Sequence, residues 1–179
     1  MAFLLAASVG AQQVPRKLPE FSIKMVNAPA VPLSQFKGKP LVLAFILTTC
    51  PHCQLTTQLL NKMLPDYAPR GLQVIASAID DGAQNAVPVF IKYHHPAFPV
   101  GFDDSVPVLD FCGYSRDRLP HLPILLFIDR QGTVRDQHEG ADADFFGDKQ
   151  EERMRAAIDS LYAGAAKPGA AKPAVKKKG

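Results

Sequence analysis

The chain has 179 residues, 47% of them apolar and 21% charged, with 16 prolines, 12 glycines, three cysteines and no tryptophan. This composition fits one globular domain with extensions, and it excludes collagen-like, coiled-coil, fully disordered and multi-span membrane chains, since no apolar run approaches the roughly 20 residues of a spanning helix. The net charge of +3 is local: residues 164–179 hold five lysines and no acid, which leaves 15 basic against 17 acidic residues elsewhere. No basic face is therefore expected on the folded body, and nucleic acid is not an expected partner.

In chain order, residues 3–7 form a short apolar stretch, and Val9 and Ala11 then take the spacing of a signal-peptidase site. Residues 1–11 read as the remnant of an export signal, which places the protein in the periplasm or outside the cell. Residues 12–163 read as one domain. Residues 19–23 are expected as a short extended piece, followed by a proline-rich connection through Pro29 and Pro32 and a turn or short helix closed by Gly38. Residues 41–47, Leu-Val-Leu-Ala-Phe-Ile-Leu, are apolar without alternation, the pattern of a strand covered on both faces. Leu55, Leu59, Leu60, Met63 and Leu64 recur at helical spacing, so a helix is expected over residues 51–67, with Pro65 ending or kinking it.

Residues 72–79 form a second buried strand, ended by Asp80, Asp81 and Gly82. A helix over residues 87–94 would bury Val87, Phe90 and Ile91. Residues 98–100 are extended, Asp103 and Asp104 make a turn, and residues 106–114 form a short helix or loop. Residues 124–128 form a third apolar strand. Residues 129–132 make a hairpin turn, with Gly132 free to take positive φ, and residues 133–138 return. Asp148 with Glu151 reads as an N-cap and its box partner for a final helix that buries Met154, Ile158 and Leu161 and stops at Gly164. The tail, residues 164–179, is rich in Lys, Ala and Pro and has almost nothing to bury, so it is expected to be disordered.

The informative constellation is Cys50-Pro51-His52-Cys53. It falls where a buried strand gives way to a helix, so Cys50 stands at the helix N-terminus. Free N–H groups and the macrodipole stabilise a thiolate there. Cys53 lies one turn in, within reach to close a disulfide after Cys50 has attacked. Pro51 suits the first helical turn, where its missing donor costs nothing. His52 can set a positive charge beside the sulfur. A CxxC pair is also half a zinc site, but Cys112 has no cysteine partner and His94, His95, His121 and His138 show no finger-like spacing.

These residues resemble a family. Phe21-Ser-Ile, Leu33-Ser-Gln-Phe-Lys-Gly-Lys-Pro40, the strand entering Cys50-x-x-Cys53, and Pro123-Ile-Leu-Leu-Phe-Ile-Asp129-Arg-Gln-Gly132 are similar to the thioredoxin superfamily. The closer match is its exported TlpA/ResA-like branch of thiol–disulfide oxidoreductases, with an AhpC/TSA-redoxin-type domain. The likeness covers about residues 19–162. It implies an α/β thioredoxin-like fold: a central mixed β-sheet flanked by helices, with an N-terminal extension and a central insertion within residues 80–110. It also implies that Pro123 is a cis-proline facing the disulfide, that the Leu122 backbone pairs with a substrate chain, and that Thr49, Pro51 and His52 tune the redox pair. The implied partners are protein thiols and disulfides together with an electron donor or acceptor, and no cofactor or metal is required. The chain departs from the family at Thr49, where an aromatic residue is frequent, and at Ala44, where thioredoxin has a proton-relaying aspartate. The Pro-His dipeptide resembles that of DsbA-type oxidases, so reductase and oxidase both stand open.

Two alternatives were weighed. A peroxiredoxin-like thiol peroxidase requires proline seven residues and threonine three residues before its cysteine. Those positions are Leu43 and Leu47 for Cys50, and Ile46 and Cys50 for Cys53. A thioredoxin-fold copper metallochaperone would use Cys50, Cys53 and a histidine as soft ligands. Cys112 reads as a small buried hydrophobe, His94 and His95 as a helix end, and His121 as a loop residue near the groove. Asp142, Asp144 and Asp148 read as loop and capping residues, because the glycine and terminal glutamate of a calcium loop are missing.

Overall fold

The computed structural model describes residues 13–115, 117 and 119–163. The expected export-signal remnant at residues 1–11, the tail at 164–179 and the helix stop at Gly164 lie outside these residues. The strands are β1 (Arg16–Lys17), β2 (Ser22–Met25), β3 (Ala28–Pro32), β4 (Leu41–Ile46), β5 (Gln73–Ala78), β6 (Val100–Phe102), β7 (Ile124–Ile128) and β8 (Thr133–Glu139). The helices are α1 (Pro51–Tyr67), α2 (Ala83–His94), α3 (Ser105–Cys112), α4 (Ala143–Phe146) and α5 (Gln150–Ala163). The strands form one mixed sheet in the order β1-β8-β7-β4-β5-β6-β2-β3. β4 is parallel to β5 and antiparallel to β7, and β7 turns back into β8. This is the thioredoxin-like architecture, a mixed sheet flanked by helices.

Every residue of β4 is buried. Its side chains alternate between two cores, as strand geometry requires. Val42, Ala44 and Ile46 face a core filled by Leu60 and Met63 of α1, Val87 and Phe90 of α2, and Met154, Ile158 and Leu161 of α5. Leu41, Leu43 and Phe45 face the opposite core, with Ile23 of β2 and Val108, Phe111 and Cys112 of α3. The absence of alternation in residues 41–47 thus reflects burial on both sides.

Several elements differ from expectation, each for a physical reason. The proline-rich stretch is not a connection but strand β3, paired with β2 through a tight turn in which Asn27 takes φ 56°. Pro29 and Pro32 are tolerated because β3 is the outermost strand, where a missing donor breaks no essential ladder bond. α1 keeps its expected bounds and holds Pro65 in its last turn, where a proline costs one hydrogen bond near an end that is already closing. α2 starts four residues earlier than expected, at Ala83, and its Ile91 is exposed while Val87 and Phe90 are buried. Leu55 is likewise exposed, and Thr56 and Thr57 point inward in its place, satisfied by Gln150 Nε2 donating at 2.8 Å to Thr56 Oγ1 and by Thr57 Oγ1 donating at 3.0 Å to Cys53 O.

Asp103 is no simple turn residue. It is buried and accepts from Ser77 Oγ at 2.7 Å, and burial holds its carboxyl above the usual range. The capping carboxylate is Asp142, which accepts from Phe145 N and begins α4. α5 begins at Gln150, which leaves Lys149 rather than Asp148 at the capping position. The Asp129–Gly132 turn forms as expected, with Gly132 at φ 69°. Asp129 is buried and accepts from Gln131 N, Thr133 N and Arg135 Nε. His138 stacks on Phe145 at 3.7 Å and binds Asp142 at 2.7 Å. Burial opposes its charge, but Asp136 and Asp142 outweigh that and raise its pKa.

Gly101 sits where β6 passes closely against β2. A β-carbon there would overlap the Lys24 carbonyl, the Ile23 side chain and the Met25 sulfur. The variant Gly101→Ala is expected to lose about 2 kcal/mol of stability, seen as a lower urea midpoint with an unchanged slope.

Candidate active site

The site grows out of the end of β4. When the strand leaves the sheet, its amides lose their ladder partners and must find others. Leu47 N–H donates to Cys53 Sγ at 3.4 Å. Thr48 N–H donates to both Asp80 oxygens at 2.9 and 3.0 Å, and Thr48 Oγ1 donates to Asp80 at 3.0 Å. Gln54 Nε2 donates to Thr48 O at 3.0 Å, and Cys50 N–H to Leu47 O at 3.2 Å. Cys50 then has extended backbone, φ −78° and ψ 121°, and occupies the N-cap of α1, with Pro51 at the first helical position. Its carbonyl takes the helix's first bond, from Gln54 N at 3.0 Å.

The two cysteines of the motif sit in unlike surroundings. Cys50 is half-buried, and its Sγ donates toward Leu122 O at 3.8 Å. Cys53, in the first turn of α1, is wholly buried in the core shared with β4, α2 and α5. All three cysteines are free thiols, and Cys50 lies close enough to Cys53 to help raise its pKa. Burial pushes the Cys53 thiol far above its ordinary range. The Leu47 amide works against that, and the nearby charges of Cys50 and Asp80 add to it. Cys112 lies in the core on the other face of the sheet, where burial pushes its thiol up to about 12. It is brought together with neither of the other two sulfurs.

Leu122 and Pro123 lie beside Cys50, and the peptide between them is cis. Their loop rests on the end of β8: Gly140 N–H donates to His121 O at 2.8 Å, and a β-carbon on Gly140 would press on the Leu122 carbonyl. Thr49, Pro51 and His52 are exposed around the sulfur, and His121 is an exposed loop residue next to Leu122. His94 ends α2 as expected, and His95 takes φ 45°. Among the described residues, no group of three or more His, Cys, Asp and Glu side chains converges as a metal site would require.

Sequence reasoning missed Asp80, Gln54 and Gly140. Asp80 was legible only as the end of an apolar strand. The available signal was topological: parallel neighbours end at the same edge of the sheet, so residues that follow β5 meet residues that follow β4. Ala44, at the place of thioredoxin's buried aspartate, is packed in the apolar core, and Asp80 is the carboxylate whose charge reaches Cys53.

The model of the AhpC/TSA family matches residues 14–137. Thiol-disulfide oxidoreductase ResA of Bacillus thuringiensis subsp. konkukian is 28% identical over 128 residues, 72% of this chain and 70% of that protein. The ResA of Oceanobacillus iheyensis is 27% identical over 69% of this chain and 63% of its own length. Among solved structures, a putative thiol:disulfide interchange protein DsbE from Chlorobium tepidum superposes with a TM-score of 0.65 at 27% identity, covering 80% of this chain and 96% of that one. A putative protein disulfide isomerase from Bacteroides thetaiotaomicron shares the fold, with a TM-score of 0.67 at 19% identity over 88% and 98% of the two chains. With more than two thirds of its length matched by the family model, the chain belongs to the AhpC/TSA family and is a thioredoxin-fold thiol–disulfide oxidoreductase.

Proposed function

We propose that Cys50 and Cys53 are the redox pair and that they exchange disulfides with partner proteins. The observation that carries this reading is the asymmetry of the two sulfurs. One is half-open at a helix N-terminus, and the other is sealed beneath it with its proton held tightly.

In the reducing direction, the Cys50 thiolate attacks one sulfur of a client disulfide. The client's S–S bond breaks, a Cys50–client mixed disulfide forms, and the departing client thiolate takes up a proton. Cys53 then loses its proton and attacks Cys50 Sγ. This closes the Cys50–Cys53 disulfide and releases the second client thiol. The client gains two electrons and the protein loses two. The same steps in reverse oxidise a client dithiol. Leu122, whose carbonyl neighbours Cys50, offers backbone pairing to the client strand, and Thr49, Pro51 and His52 surround the reacting sulfur. The direction is read from equilibrium with glutathione: a potential near −120 mV marks an oxidant and one near −270 mV a reductant.

Cys50→Ser is expected to lower exchange with a disulfide-containing protein by more than about a thousandfold. Cys53→Ser is expected to attack normally and accumulate the mixed disulfide, visible by mass spectrometry. Unchanged exchange in Cys50→Ser would sink the assignment.

The sign of the pH dependence follows from burial. Cys53 attacks only as a thiolate, and its pKa is raised, so its reactive fraction grows about tenfold per pH unit for as long as the pH stays below that value. The rate of resolution from a preformed mixed disulfide is therefore expected to climb without a plateau between pH 6 and 9. Rapid-mixing kinetics on the trapped species would show this.

We infer from the Val9 and Ala11 spacing that exchange takes place outside the cytoplasm. Among the described residues, no helix is long and apolar enough to cross a membrane. N-terminal sequencing of exported protein is expected to begin at Gln12.

A further inference from the structure

The sheet order flanks Cys50 with two different walls. β7 lies on one side of β4 and brings the Leu122–Pro123 loop, while β5 lies on the other and leads into α2. On the α2 side, Thr49 and Gln54 face Val89, Phe90 and Tyr93 across a groove of about 490 Å³. Phe90 is buried at its base with the His94 ring 4.6 Å away. Val89 and Tyr93 stand one turn apart on α2 and are 54% and 71% exposed. Among the described residues, no Asp, Glu, Lys or Arg lines the groove, and its polar lining is Thr48, Thr49, Gln54 and His94. Single exposed apolar residues need no explanation. These two share the groove with Thr49, whose next neighbour is the half-buried sulfur.

We propose that this groove seats an apolar side chain of the client polypeptide, within about three residues of the client cysteine that bonds Cys50. The inference rests on Cys50 being the attacking sulfur. A client strand that pairs with Leu122 and crosses the end of β4 arrives next at Thr49, and an extended chain advances about 3.3 Å per residue, so a side chain two or three positions on reaches Val89 and Tyr93. The lining offers no carboxylate to a lysine or arginine side chain, which would be desolvated there without a partner. The groove thus gives the exchange reaction a sequence preference on one side of the client cysteine, in addition to the sequence-blind backbone pairing at Leu122.

The test uses the full reduced chain and two disulfide-linked peptides that differ only at the second residue after the cysteine, leucine in one and serine in the other. Each rate is divided by the rate with bis(2-hydroxyethyl) disulfide, which reads the sulfur chemistry alone. The wild type is expected to favour the leucine peptide about tenfold. The double variant Val89→Ser with Tyr93→Ser is expected to bring that ratio near one, and Tyr93→Phe to keep it. A ratio near one in the wild type, or one that survives the double variant, would overturn the proposal. So would a dimer in sedimentation that the double variant dissolves, because a second copy would then be the occupant. Failure of the wild type to react with either peptide or with the small disulfide would overturn the exchange reading itself, and this proposal with it.

Discussion

A buried strand that stops in mid-protein must find new partners for the amides it withdraws from the sheet. At the end of β4 those partners are a sulfur and a carboxylate: Leu47 N–H goes to Cys53 and Thr48 N–H to Asp80. Unpaired donors at this depth would each cost about 1–3 kcal/mol, so the loop has little freedom. The same bonds that terminate the strand aim Cys50 outward at the helix cap and hold Cys53 beneath it. Backbone satisfaction and placement of the redox pair are one arrangement.

That arrangement separates two chemically identical side chains by environment alone. The cap position leaves Cys50 partly open, beside the Leu122 carbonyl. One turn of helix carries Cys53 into the apolar core, where a charged sulfur is unfavourable. Attack and resolution thereby become distinct steps. The core that does this is the face of β4 packed by α1, α2 and α5, and Cys112 is kept from it by the sheet itself.

The walls around the sulfur come from opposite sides of β4 and differ in kind. One is a loop braced by Gly140 that offers backbone. The other is the helical face of α2 that offers side chains. In the proposed exchange, a client crossing the strand ends would meet both, which would couple general recognition of extended chain to a local preference for apolar side chains.

Much of this was legible in the residues alone. The apolar run before Cys50-Pro51-His52-Cys53 marked a doubly covered strand, and helical spacing located α1 at its observed bounds. Asp129 and Gly132 marked a turn, and the resemblance carried by Pro123 pointed to the loop beside the sulfur. These features are local: periodicity, caps and turns are written in adjacent residues. Other features depended on which strands become neighbours. Pro29 and Pro32 sit in a strand because β3 is at the edge, Thr56 takes a buried position that Leu55 does not because Gln150 of α5 meets it, and Asp80 serves the site because β5 lies beside β4. A hydrogen bond across 32 or 94 positions has no local signature in the chain. Only the packed fold decides it, because only there do separate strand ends and separate helices come within bonding distance.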